Sequence, residues 1–531
     1  MKFSCILVGK LIIFRQAKSP FSDAVCRNRF MKPSRNNIKI IFGLKLKQLR
    51  QERNLSLSEL AKKSRLSISY LNEIESGKKY PKTDKIAVLS DALDVTYDKL
   101  VSLRLSRNLT PIGDLLDSKI LEQLPLDHYG IDISKLIVLM SNAPLQLSAL
   151  VATLVDMAKS SELSQNNFSR TAIRTYKEFN ENYFEDLEDE VENFVKETKF
   201  DNSPPVEYSD LLMVINKQYN IEVNDNSLSN YPELSEIRGL FVPGKTNKLL
   251  INNKLSDSQK TFILGKEIAY QHLGITDRSN IYSSTRVDSF DQLLNNLKAS
   301  YFATSLMLKR ESILKDFKQF FSMKNWDDDV LLNLIKKYNA TPEMFLQRLT
   351  NLAAKFFNLN SYFFLRFNTK EHSDIYSLTK ELRLNTLENP GGYQSKEHYC
   401  RRWISIGVLK KLEQETKKRA TFDKPIIGAQ ISEFYNSKDQ YFSISIARRD
   451  RLVEGMNSSV TIGFLINDDF KRNVKFWNDP NVLIKEVNDT CEKCMISNCK
   501  ERVAPPTVAE QQNKYARTKT ALDKLLQEIQ D

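Results

Sequence analysis

Three cysteines stand close together in the run TCEKCMISNCKERVAPP, at Cys491, Cys494 and Cys499. The C-x2-C-x4-C spacing gives a tight thiolate knuckle with a third sulfur nearby, and Cys400 in EHYCRRW can complete a set of four. Four soft sulfurs suit tetrahedral zinc; they serve an iron–sulfur cluster equally well, and unliganded or redox-active thiols are a third reading. A second run, TFILGKEIAYQHLGI, sets Lys266, Glu267 and Tyr270 on one helical pattern around a carboxylate. A helix-borne zinc site needs H-E-x-x-H, in which two His one turn apart bind the metal and the Glu is the general base. Here only the Glu is present. The chain has four His, at positions 128, 272, 372 and 398, with no H-x-x-x-H pair among them. His272 lies five residues beyond Glu267, about 140° around a helix, so it does not restore the site.

A third group of residues has the chemistry of base reading. In LSLSELAKKSRLSISYLNEIESGKKYP, Leu57, Leu60 and Ala61 fit one short helix, and Leu71 and Ile74 a second capped by Ser67. Gly77 ends the second helix with a left-handed residue. The stretch resembles the phage-repressor type of helix-turn-helix, which places its second helix in the DNA major groove. Ile68, Ser69, Asn72 and Glu73 then face outward, where Asn suits adenine, Glu suits cytosine and Ile suits a thymine methyl. Tyr70 is open between packing and a backbone contact, while Lys78 and Lys79 suit phosphates. Residues 43–104 hold thirteen Lys/Arg and eight Asp/Glu, net +5, in line with a salt-sensitive grip on double-stranded DNA by a homodimer.

The elements that must carry these groups divide a chain of 531 residues into several domains. Residues 1–42 read as a leader, unstructured or upstream of a true start at Met31. Its first thirty residues carry six Lys/Arg and one Asp, so they supply +5 of the net +12. The helix-turn-helix unit occupies 43–104. A helical linker or dimerisation region follows over 105–205, with a one-sided stripe from Leu147 to Ala158 and an acidic run, YKEFNENYFEDLEDEVENFVKE, that reads as a solvated face or a spacer. Residues 206–356 alternate helices with short strands around the Pro243-Gly244 turn. Residues 357–506 are β-rich, with alternation at Phe363, Leu365 and Phe367, and 507–531 form a charged terminal helix. No run of eighteen apolar residues exists, which argues against a membrane span, and a DNA-binding protein is expected in the cytoplasm. The fold class expected is multidomain α+β: an all-α N-terminal unit, a helical linker, an α+β domain and a β-rich domain with the cysteine cluster.

The order of elements in 206–356 resembles the zinc peptidase-like domain of the ImmA/IrrE type in degenerate form. In that family an acidic third ligand lies on the next helix, and in this register the position falls at Lys298. An ammonium there has no lone pair for a metal, so the resemblance implies a pseudo-peptidase with no catalytic residue, in which Lys266, Tyr270 and Lys298 could offer donors to an anion. Across 43–506 the chain looks like a short-chain fatty acyl transcriptional regulator, from the domain order and from Cys491, Cys494, Cys499, Arg502, Pro505 and Pro506, with Cys400 and Trp403 upstream. The family often has proline after the upstream cysteine, where this chain has Arg401. The resemblance implies a regulator responding to a small effector, an acyl-CoA or related metabolite. Two alternatives remain: a repressor-cleaving metallopeptidase, or an antitoxin-like regulator whose peptidase-like domain docks a protein.

Overall fold

The computed structural model describes residues 35–102, 165–282, 289–384, 397–419 and 422–530, and the chain falls into two units, Met1–Glu162 and Leu163–Asp531. In the first unit five helices, α1 (Arg35–Glu52), α2 (Leu57–Ser64), α3 (Ile68–Glu75), α4 (Thr83–Ala92) and α5 (Tyr97–Val101), enclose Leu46, Leu60, Leu71, Ile74, Leu89 and Leu100. The boundary expected at 42/43 is wrong. Helix α1 starts at Arg35, and Ile40, Ile41 and Phe42 are buried, because the apolar stripe of NIKIIFGLKL continues upstream at helical spacing. Gly43 is where α1 meets α3; a Cβ there would lie 2.2 Å from the Ile74 carbonyl oxygen.

The second unit opens with α6 (Gln165–Phe179) and α7 (Glu185–Thr198), which sequence reading assigned to a linker. They belong to the body that follows. Leu187, Val191 and Phe194 of α7 are buried, and Glu188 accepts two bonds from the buried Arg348. The acidic run is thus solvated on one side only. The stripe from Leu147 to Ala158 lies outside the described residues.

Next come α8 (Tyr208–Tyr219) and a small sheet of β1 (Ile221–Asn224), β2 (Gly239–Val242), β3 (Asn247–Ile251) and β4 (Ile281–Tyr282), in the order β1-β3-β2-β4. Only β1 and β3 are parallel in it. Helix α9 (Asp257–His272) starts at a capping box made by Ser256 and Gln259, and packs with α10 (Phe290–Met307). Helices α11 (Arg310–Phe321), α12 (Asp328–Lys337) and α13 (Pro342–Phe357) complete this layer, α13 with the expected Thr341 cap and Pro342 at its first position.

The larger sheet runs β10-β7-β8-β9-β5-β6, from β5 (Tyr362–Lys370), β6 (Ser377–Leu384), β7 (Ile426–Phe434), β8 (Gln440–Arg449), β9 (Met456–Leu465) and β10 (Ile484–Val487). All its pairs are antiparallel except β10 with β7. Helix α14 (Ile404–Lys418) covers one face, where Phe363, Trp403, Phe434 and Tyr441 meet. Phe442, Phe464 and Ile462 of the other face join the core of the helical layer. The alternation of Phe442, Ile444 and Ile446 and of Val460, Ile462 and Phe464 marks one face, but Ser443, Ser445, Ser459 and Thr461 between them are buried as well, since the sheet is covered on both faces. A short helix α15 (Asp468–Asn473) and a long one, α16 (Thr507–Gln530), complete the described elements.

Candidate DNA-reading face and buried cavity

Helix α3 is built to present its outer face. The Ser67 hydroxyl accepts from the Tyr70 N–H at 3.1 Å, which fixes its first turn. At its other end the Gly77 N–H reaches the Ile74 carbonyl and the Lys78 N–H the Glu73 carbonyl, both at 2.9 Å, with Gly77 at φ +71°. These two bonds form a Schellman closure, which turns the chain so that Lys78 and Lys79 emerge exposed. Ile68, Ser69 and Asn72 are exposed, and Ile68 is half accessible at 50% although apolar. Ser67 serves first as a cap. Tyr70 and Glu73 are partly covered by Lys79, whose Nζ lies 3.3 Å from the Glu73 carboxylate and 5.0 Å from the Tyr70 ring centre. Such an exposed pair contributes about 0–1 kcal/mol, so a phosphate can take Lys79 from it.

Sequence reading missed what holds this helix to the rest. Arg50 of α1 grips the buried Glu75 with two bonds, Nε to Oε1 at 2.7 Å and Nη2 to Oε2 at 2.9 Å, and also donates to the Leu55 carbonyl. The i,i+3 spacings in each helix point to burial, but no local signal pairs residues 50 and 75.

In the second unit Glu267 is fully buried and all of its lone pairs are directed at donors. Arg278 Nη1 and Nη2 reach its two oxygens at 2.7 and 2.9 Å, the Tyr282 hydroxyl donates at 2.5 Å, and the Gln271 amide at 2.8 Å. The Arg278 guanidinium is stacked between Phe241 and Tyr270, 4.3 Å from each ring centre. Held this way, the carboxylate is the counter-ion of Arg278.

Lys266 is buried and donates to Asn296 Oδ1 at 2.6 Å. Burial, then the nearby Lys380, Arg238 and Arg278, bring its ammonium down to about 7. The expected role of Lys298 needs correction. The residue facing Lys266 from α10 is Asn296, two positions earlier and so about 200° around the helix. Lys298 is half-buried and does not line the cavity into which Lys266 and Tyr270 open.

That cavity, about 1180 Å³, lies between α6, α9, α10 and α13 on one side and strands β5 and β6 on the other. Its walls are mixed. Phe262, Ile263, Leu293, Leu297, Met344 and Phe364 supply apolar surface. Among them stand Lys266 and a group of cations, Arg238, Arg366, Lys380 and Arg448, near Glu343 at the first turn of α13, with Asp374, Glu381 and Glu397 elsewhere in the lining. Lys380 bonds Glu343 at 2.5 Å and Arg366 stands 3.6 Å away. Burial pushes the Glu343 carboxyl up, but Lys380 and Arg366 outweigh it and hold it well below the usual carboxylate range. Burial lowers Arg448 and brings Lys177, also on the wall, down to about 8. The Arg366 Nε is buried without a hydrogen-bond partner. Positive charge here exceeds its compensation.

The cysteines are gathered but not disposed as a ligand set. Cys400, Cys491 and Cys494 are buried and Cys499 is partly exposed, all as free thiols. Burial raises the Cys400 thiol to about 11; the Asn488 and Arg402 backbones oppose this, and the neighbouring Cys491 and Cys494 add to it. Arg502 fixes the loop by donating to the carbonyls of Cys491, Cys494, Ile496 and Ala504. Among the described residues no three His, Cys, Asp or Glu side chains converge as metal ligands would.

Residues 46–100 match the helix-turn-helix family model and residues 217–350 the IrrE N-terminal-like domain. The chain therefore carries a DNA-binding unit of helix-turn-helix type and an IrrE-like domain, each over part of its length. A solved structure of a Mycobacterium tuberculosis transcriptional regulator aligns at 14% identity and TM-score 0.45, over 64% of this chain and 93% of that one, a likeness too slight to inform function. No curated protein matches the chain. Among the described residues no helix is long and apolar enough to cross a membrane.

Proposed function

We propose that the protein is a dimeric transcriptional regulator that binds a two-fold operator through α3 and answers to an anionic metabolite held in the cavity. The observation that carries the DNA-binding half is the outer face of α3, where Ile68, Ser69 and Asn72 stand exposed between a capped start and two lysines. The metabolite half rests on the cavity: Lys and Arg side chains in excess of the lining carboxylates, interleaved with apolar ones, suit a ligand with an anionic head and a short apolar arm. A short-chain acyl-CoA, the effector implied by the family resemblance, has that chemistry. No peptidase activity belongs to this reading, since Glu267 is committed to Arg278, Tyr282 and Gln271.

Ligand binding would act by favouring one of two arrangements of the DNA-binding units, to the extent that it binds one arrangement better. The test is thermal stabilisation of the full chain by short-chain acyl-CoAs, followed by operator affinity with and without the stabilising compound. Stabilisation should grow as pH falls from 8 through 7, because Lys266 becomes charged in that window. Glu343→Gln should lower the melting temperature of the free protein and enlarge its rise on adding ligand, since the resident carboxylate no longer competes for Lys380 and Arg366. No stabilisation at any pH, or stabilisation that leaves operator affinity unchanged, would refute the effector reading.

A further inference from the structure

Helix α16 leaves the body of the second unit almost at once. Its first turn is held by the Val508 and Ala509 N–H groups, which both donate to the Glu492 carbonyl at 3.0 Å. From Glu510 to Glu528 every residue is exposed, including Tyr515 at 73%, Leu522 at 52%, Leu525 at 51% and Leu526 at 48%. Helices in proteins draw most of their stability from packing an apolar face, and here four large apolar side chains stand in solvent. They are not scattered. At about 100° per residue, Tyr515, Leu522 and Leu526 fall within roughly 40° of one another, and Leu525 widens the stripe to about 100°. Tyr515 and Leu522 are seven residues apart, as are Thr518 and Leu525. A seven-residue repeat is the seam of a supercoiled helix pair.

We propose that α16 is a self-association element, which pairs antiparallel with α16 of a second copy of this chain. The inference rests on the dimer in the functional reading and names its surface. Charge selects the orientation. Beyond Glu510 in the first turn, Lys514, Arg517 and Lys519 precede Thr520, and Asp523, Lys524 and Glu528 follow it. Antiparallel pairing about a two-fold axis near Thr520 sets Tyr515 against Leu525 of the partner subunit, and Leu522 against Thr518 of the partner subunit. It also sets Lys514 against Glu528 of the partner subunit, on each side of the axis. Glu528 is now only 3.8 Å from Lys524, in an exposed pair of little strength. Parallel pairing would instead oppose Lys514 to Lys519 of the partner subunit on both flanks. The antiparallel form brings together only the two Lys519 side chains, each with Asp523 one turn further on.

The test is sedimentation equilibrium of the full chain, with far-UV circular dichroism to confirm folding. Wild type should dimerise, and Leu522→Glu with Leu526→Glu should raise the dissociation constant by about tenfold or more. Lys514→Glu should weaken the dimer, and adding Glu528→Lys should restore it. An unchanged dissociation constant in the Leu522/Leu526 variant would overturn the proposal, as would a stronger dimer from Lys514→Glu alone, the signature of parallel pairing. If the dimer weakens while operator affinity holds, the surface is confirmed and the dimeric-operator reading fails; if operator affinity falls with it, both stand.

Discussion

Cys400 shows how one residue's chemistry depends on its neighbours. A thiol pushed to about 11 stays protonated at neutral pH, so it is an inert core group unless a cation displaces its proton. Cys491 and Cys494 are close enough to influence it, and Arg502 keeps their loop in shape, but Cys499 stands partly exposed. The zinc expected from the spacing of the four cysteines is tested by metal content. Metal analysis of protein prepared in zinc-containing medium should find about one zinc per chain, consistent with a four-thiolate site. Cys494→Ser should lose it. Equal metal content in wild type and variant, or none in either, would leave these as plain thiols. Iron with a visible cluster absorption would keep the ligands and change the metal.

At the scale of elements, the sequence was most readable where patterns are local. The Ser67 cap, the Gly77 stop, the Thr341-Pro342 start and the limits of α8 and β2 all follow from residues a few positions apart. The pairing of Arg50 with Glu75, of Glu267 with Arg278, and of α6 and α7 with the body does not, because each is fixed by contacts distant in sequence. The same limit moved the α10 residue facing Lys266 from Lys298 to Asn296. The cation cluster was illegible for a further reason: Arg238, Lys266, Lys380 and Arg448 come from four separate segments, and each alone reads as an ordinary surface charge.

Arg348 tests the assignment of α7. It is fully buried, donates to Glu188 and to Ser305, and Glu188 also accepts from the Tyr301 hydroxyl. Arg348→Met would leave the Glu188 carboxylate buried without its cation, at a cost of about 3–5 kcal/mol. Glu188→Gln together with Arg348→Met should recover part of the loss. Denaturant unfolding checks this; an Arg348→Met midpoint equal to wild type would mean that α7 is the free spacer first read from its acidic run.

The whole molecule joins a basic helix-turn-helix unit to a larger body with an IrrE-like domain, in which Glu267 is paired with Arg278. Between 43 and 104 the net charge is +5, which suits affinity for any duplex, and in the proposed reading the outer face of α3 selects among duplexes. These two contributions separate by mutation. Asn72→Ala should lower preference for a selected duplex by about 1–3 kcal/mol and leave random DNA nearly untouched, whereas Lys78→Ala with Lys79→Ala should weaken both and flatten the salt dependence. The direct measurement is fluorescence anisotropy of the full chain on a duplex selected from a random pool and on a scrambled one, across a salt series. The account predicts tight binding to the first, weaker and steeply salt-dependent binding to the second, and the mutant pattern just given. Failure to bind any duplex at low ionic strength, or binding indifferent to Lys78 and Lys79, would contradict it.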